Sequence, residues 1–223
     1  MGGVDVQPPW IEAVKKTLER PWLWSAFGAL LLAIPVAATL AAHAHKGPPK
    51  LGRVPEFALT DQTGAPFATR DLDGKVWVAD FVFTSCSMAC PKLTGEMAKL
   101  QRYLQNRGQD ARTRLVSISV DPERDTPERL AAYAAGFHAD AQFWKFATGP
   151  SQAIQDAVVR GFKLGVSKEK DESSAEGFTI LHGTKFVLVD ARGEIRGYYD
   201  ADDAIQMARL REDVSGLVER GGS

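Results

Sequence analysis

The run Val76-Trp-Val-Ala-Asp-Phe-Val-Phe83 is rich in β-branched and aromatic residues and ends almost directly on a pair of cysteines. Such a run belongs in the middle of a sheet, covered on both faces. After it comes Cys86-Ser-Met-Ala-Cys90-Pro91, with Pro91 suited to the first turn of a helix. Leu93, Met97, Leu100 and Leu104 then recur at helical spacing to about Asn106. Any fold for this chain must bury that strand and turn it into a helix at the cysteines.

The remaining segments alternate in the same way. Phe57-Ala-Leu-Thr-Asp61 and Gly64-Ala-Pro-Phe67 predict a small hairpin, and Leu115–Val120 a second central strand. In Asp121-Pro-Glu-Arg-Asp-Thr-Pro-Glu128, either Asp125 or Thr126 is expected to cap a helix with Pro127 in its first turn. This run is accounted for as a turn and cap, with no chemistry assigned to it. A helix is expected from Ser151 to about Lys163, then a charged loop from Ser167 to Glu176. A hairpin of Phe186–Val189 and Ile195–Tyr199 follows, and a helix from Asp203 to Arg220 closes the chain. Strands alternating with helices, ending in a hairpin plus helix, indicate an α/β sandwich of thioredoxin type. The 223 residues are 44% hydrophobic and 25% charged, which suits a globular domain. A net charge of -1 argues against nucleic acid as a partner.

Ahead of this domain, Trp22–Ala42 holds no charge over 21 residues. As a helix it would cover the roughly 30 Å hydrocarbon core of a bilayer. Trp22 and Trp24 suit the headgroup region, and Lys15, Lys16 and Arg20 place the N-terminus in the cytoplasm. The expected layout is a cytoplasmic segment 1–21, a transmembrane anchor 22–42, a linker 43–51 and a thioredoxin-like domain 52–223. That domain would lie outside the cytoplasm. A cleaved signal peptide is the alternative, with Ala42-His43-Ala44 as a small-residue cleavage site. Gly47-Pro48-Pro49 reads as a stiff spacer, and His43 and His45 as solvated linker.

Cys86 and Cys90 are the only cysteines. Four apart in a first helical turn, they would share a face, so both sulfurs can meet one ion. A helix N-terminus also favours thiolate, the form that binds metal or attacks disulfides. A purely structural disulfide is the plain alternative, but a loop this short gains least from cross-linking. His182 stands immediately before the Phe186–Val189 strand, in a loop that this fold brings across from the cysteine helix. It is either a third ligand or an ordinary surface histidine. Two thiolates and an imidazole leave one coordination position open. Sulfur favours Cu(I), imidazole helps retain Cu(II), and a structural zinc would want a fourth protein ligand. His138 is expected to face solvent, and Met88 to be a surface or gap-filling residue.

Phe83-Thr-Ser-Cys86-Ser-Met-Ala-Cys90-Pro91, Val120-Asp-Pro-Glu-Arg-Asp-Thr-Pro-Glu128 and His182 before Phe-Val-Leu-Val-Asp190 together resemble the SCO/SenC family. That family comprises membrane-anchored, thioredoxin-fold copper proteins of cytochrome c oxidase assembly. The resemblance runs from about Gly52 to the C-terminus and implies copper ligation by Cys86, Cys90 and His182. Many members carry Pro-Asp-x between the cysteines and Asp before the histidine; here Ser87-Met88-Ala89 and Leu181 stand there. The acidic surroundings of the ligands are thus reduced.

The resemblance implies a metallochaperone, not an enzyme, in the bacterial inner membrane. It would hold Cu(I) or Cu(II) and pass it to the copper-bearing subunit of the oxidase, with other periplasmic copper chaperones as further partners. The rival reading is a thiol–disulfide oxidoreductase using a Cys86–Cys90 redox disulfide, with Cys86 the more exposed nucleophile. A redox or copper sensor is a third class. Peroxidase chemistry is weaker, because the proline expected upstream of such a cysteine is absent.

Overall fold

The computed structural model describes residues 47–87, 89–162 and 184–221, besides Leu31 and Ala33. The chain divides into two units between Lys46 and Gly47, and the second carries every element named below. Apart from Leu31 and Ala33, the expected span 22–42 lies outside the described residues, as do the histidines at 43, 45 and 182, Met88 and the 167–176 loop. No helix among the described residues is long and apolar enough to cross a membrane.

One eight-stranded sheet organises the domain. Its strands are β1 (Gly52–Arg53), β2 (Ala58–Asp61), β3 (Pro66–Ala68), β4 (Val76–Val82), β5 (Thr113–Ser119), β6 (Trp144–Thr148), β7 (Lys185–Val189) and β8 (Glu194–Asp200). They lie in the order β1-β8-β7-β4-β5-β6-β2-β3. β4, β5 and β6 are parallel, while β7 runs antiparallel to β4. All seven residues of β4 are buried, as its composition predicts. Val76, Val78 and Val82 face one core and Trp77, Ala79 and Phe81 the other, following the two-residue period of a strand.

The helices are α1 (Ala89–Asn106), α2 (Pro127–Gly136), α3 (Ser151–Gln155) and α4 (Ala204–Glu219). The apolar stripe of α1 packs with Leu210, Val214 and Leu217 of α4 on the Val78 face of the sheet. Thr126, not Asp125, caps α2: its hydroxyl accepts the Arg129 N–H. The helix expected over 151–163 is α-helical only to Gln155 and widens to a π-turn over Asp156–Gly161. That turn seats Phe162 with its ring 5.0 Å from Phe81 and 6.0 Å from Trp77, on the second core. The strand β6 was not expected from the sequence. The β7–β8 turn needs a left-handed residue, and Gly193 supplies it at φ 77°.

The domain has two distinct ends. The last residues of β4 lead to Cys86, and β7 begins and β8 finishes at that same end. At the other end β1 pairs with the start of β8, and Gly47 lies against the Arg220 guanidinium after α4. Pro48, in the run expected as a spacer, is held there. Its carbonyl accepts two bonds from the Arg196 guanidinium, at 2.7 and 2.9 Å, and Arg196 also pairs with buried Asp190 at 2.7 Å.

Candidate metal centre

Cys86 and Cys90 meet where β4 gives way to α1, and both are present as thiols. Cys86 precedes the helix instead of opening it, because α1 begins at Ala89. The i, i+4 relation survives all the same: the Cys90 N–H donates to the Cys86 sulfur at 3.3 Å. The Cys86 N–H in turn donates to the Phe83 carbonyl at 3.2 Å, closing a tight turn after β4. Cys86 is half-buried, whereas Cys90 is buried in the core with Val82 and Leu93.

This burial corrects one expectation. A helix N-terminus should favour thiolate, yet the Cys90 thiol is pushed up to about 12, chiefly because the surrounding apolar core penalises a charge. Desolvation outweighs the dipole because the sulfur points into the core. Metal binding at Cys90 must therefore displace a tightly held proton.

Two acidic residues around the cysteines carry weight that the sequence reading did not assign. Asp80 is fully buried in the middle of β4, on the face shared with Val78 and Val82. Neither of its oxygens makes a well-formed hydrogen bond to a described residue. Burial pushes its carboxyl up to about 7, against a smaller opposing pull from Ser117, its register partner on β5. The signal was visible as one acid inside an otherwise apolar strand. Asp125 is the second, and it corrects the reading of its run as turn and cap alone. Its buried carboxylate accepts from Ser119 and from Thr84, two residues ahead of Cys86. Nothing local marks that contact, which joins residues 41 apart.

Among the described residues no group of three or more His, Cys, Asp and Glu side chains is placed to hold a metal ion. The structure thus brings Cys86 and Cys90 together, while His182 lies outside the described residues. His138 is exposed, as expected, with a positive φ of 55°. A cleft of about 270 Å³ lined by Asp61, Arg114 and Lys145 holds neither cysteine, and Lys145 there is paired with Asp61 at 2.8 Å.

A parallel three-strand centre, an antiparallel hairpin beside its first strand and a Cys-x-x-x-Cys pair at the strand–helix junction define a thioredoxin-like α/β domain. Residues 46–219 match the SCO1/SenC family, and the chain belongs to it. The SCO1 protein homolog of Bacillus subtilis (strain 168) is 35% identical over 162 residues, covering 72% of this chain and 80% of that protein. A SCO1/SenC family lipoprotein from Bacillus anthracis superposes with a TM-score of 0.65 at 35% identity, covering 74% of this chain and 95% of its own. BsSco, described as a Sco-family cytochrome c oxidase assembly protein with a disulfide switch, gives 0.65 at 29% identity, covering 78% and 97%.

Proposed function

We propose that this protein is a copper metallochaperone of cytochrome c oxidase assembly. In this reading Cys86, Cys90 and His182 bind one copper ion and hand it to the copper-bearing subunit of the oxidase. The observation that carries it is the sulfur pair on the rim of the domain, one thiol accessible and one buried four residues on. Two sulfurs with at most one imidazole suit Cu(I), with the nitrogen helping to retain Cu(II). The incomplete ligand set leaves room for an incoming ligand from the recipient. Transfer then proceeds by exchange, the partner's sulfur or imidazole displacing these ligands one at a time. BsSco's assignment to oxidase assembly supports the same recipient.

The tether belongs to this proposal. The uncharged run 22–42 anchors the chain, 43–51 links it, and 52–223 forms the copper domain on the periplasmic side of the inner membrane. The lipoprotein relative supports membrane attachment. In this chain the apolar run 22–42 takes the part of the anchor. Protease added to intact spheroplasts should digest the domain; protection until lysis would reverse the orientation.

Copper titration of the reduced chain tests the main reading. One ion per chain should bind, and oxidation to the Cys86–Cys90 disulfide should abolish binding, because both sulfurs must be thiolates. Tight copper in the oxidised protein would sink the site. His182→Ala should weaken Cu(II) by about 10–100-fold or more, with Cu(I) less affected.

A second reading, thiol–disulfide exchange, is favoured by the half-buried Cys86 beside buried Cys90 and by the disulfide switch of BsSco. A dithiol reductant needs no imidazole. Parental Cu(II) affinity in His182→Ala, with full oxidase assembly at limiting copper, would make this the leading function.

A further inference from the structure

Asp125 is fully buried, and among the described residues its carboxylate is met by no cation but by donors from two strand ends. One oxygen accepts the Ser119 hydroxyl at 2.6 Å and the Thr84 N–H at 3.1 Å. The other accepts the Thr84 hydroxyl, with the same N–H at 3.3 Å. Burying a carboxylate is costly unless hydrogen bonds saturate it. Capping does not explain the cost here, since Thr126 already caps α2. The carboxylate is rigidly mounted: the Asp125 N–H donates to the Asp121 carbonyl at 2.9 Å, and α2 begins two residues later. What it grips is the turn between β4 and α1. Thr84 sits inside the Phe83-to-Cys86 turn, so fixing Thr84 fixes the direction from which Cys86 approaches the Cys90 N–H.

We infer that Asp125, acting through Thr84, is a positioning residue that sets where the Cys86 sulfur stands for metal capture. This rests on the copper reading above. It also gives the Asp121–Glu128 run a part in the site, as the anchor against which the cysteine turn is held. The device is a clasp across the ends of β4 and β5, where Val82 and Ser119 are register partners.

The test uses the full chain and three variants, Thr84→Val, Thr84→Ser and Asp125→Asn. Thr84 is only half-buried, so its variants keep the fold. Copper salts against a competing chelator give affinity, and the sulfur-to-Cu(II) charge-transfer absorption reports the geometry at Cys86. Thr84→Val should lose about 10–100-fold in affinity, as is typical when a ligand's supporting partner is removed, and should shift the absorption. Thr84→Ser, which keeps the hydroxyl, should restore both. Asp125→Asn should move them the same way as Thr84→Val. A lower melting temperature in Thr84→Val with affinity and absorption unchanged would make the clasp purely structural and overturn the inference. Should the parent take no copper, the copper reading itself fails, and the clasp is judged on the Cys86–Cys90 reduction potential in glutathione buffers. A shift in Thr84→Val that Thr84→Ser reverses upholds it; an unmoved potential overturns it.

Discussion

Asp80 makes the stability of the domain depend on pH in a direction opposite to most carboxylates. Unfolded, it ionises near 3.8, while the folded chain keeps it protonated to about 7. Between those values the folded state binds one more proton than the unfolded state. Its contribution is therefore complete below about pH 4 and is lost as pH rises through 7, at about 1.4 kcal/mol per unit. Urea unfolding of metal-free protein at pH 4.5 and 7.5 should show Asp80→Asn gaining on the parent at the higher pH. Parallel behaviour of the two would remove Asp80 from this account. Arg196 is the other costly residue to disturb. Arg196→Met would leave the Pro48 carbonyl without its guanidinium and, among the described residues, Asp190 with the Arg192 and Glu194 N–H groups alone. Breaking one side of a buried pair costs about 3–5 kcal/mol. A loss below about 1 kcal/mol in the same unfolding assay would show that the pair is solvated.

At the scale of elements, α1 was legible because its stripe obeys the helical period, and Leu93, Met97, Leu100 and Leu104 are all buried. Leu100→Ala should cost about 2–5 kcal/mol, and Thr126→Ala, which removes only the cap of α2, about 1 kcal/mol. Thermal melts of the two should rank in that order; the reverse would contradict the packing described. The strand β6 escaped because Trp144–Thr148 is short and acquires its meaning from partners, parallel β5 on one side and antiparallel β2 on the other. The π-turn escaped for a similar reason. Nothing in Asp156–Gly161 announces it, and Phe162 beyond it is fixed by rings and by the Tyr198 hydroxyl, which donates to its carbonyl at 3.0 Å. The cysteine pair, by contrast, is a local pattern at a local junction, and it was readable from spacing alone. Asp80 and Asp125 act through burial and through a partner 41 residues away, neither of which a linear motif records.

Across the whole molecule, the thioredoxin-type sandwich followed from alternation of strands and helices, whereas the order of the outer strands, with β1 on one edge and β2–β3 on the other, did not. Those edge strands are too short to carry a period. The two ends of the domain matter more for how it can be used. Gly221 lies with Gly74, Arg112 and Ala191 at the start of β4, the end at which Gly47 meets Arg220. Both described chain ends therefore leave from one pole and the cysteines open on the other, with the seven residues of β4 between them, roughly 23 Å at 3.3 Å per residue. The domain has a handle and a working tip. A bulky fusion or a solid support joined directly to Gly47 stands clear of Cys86, and a large partner can close over the thiols without meeting Gly47 or Gly221.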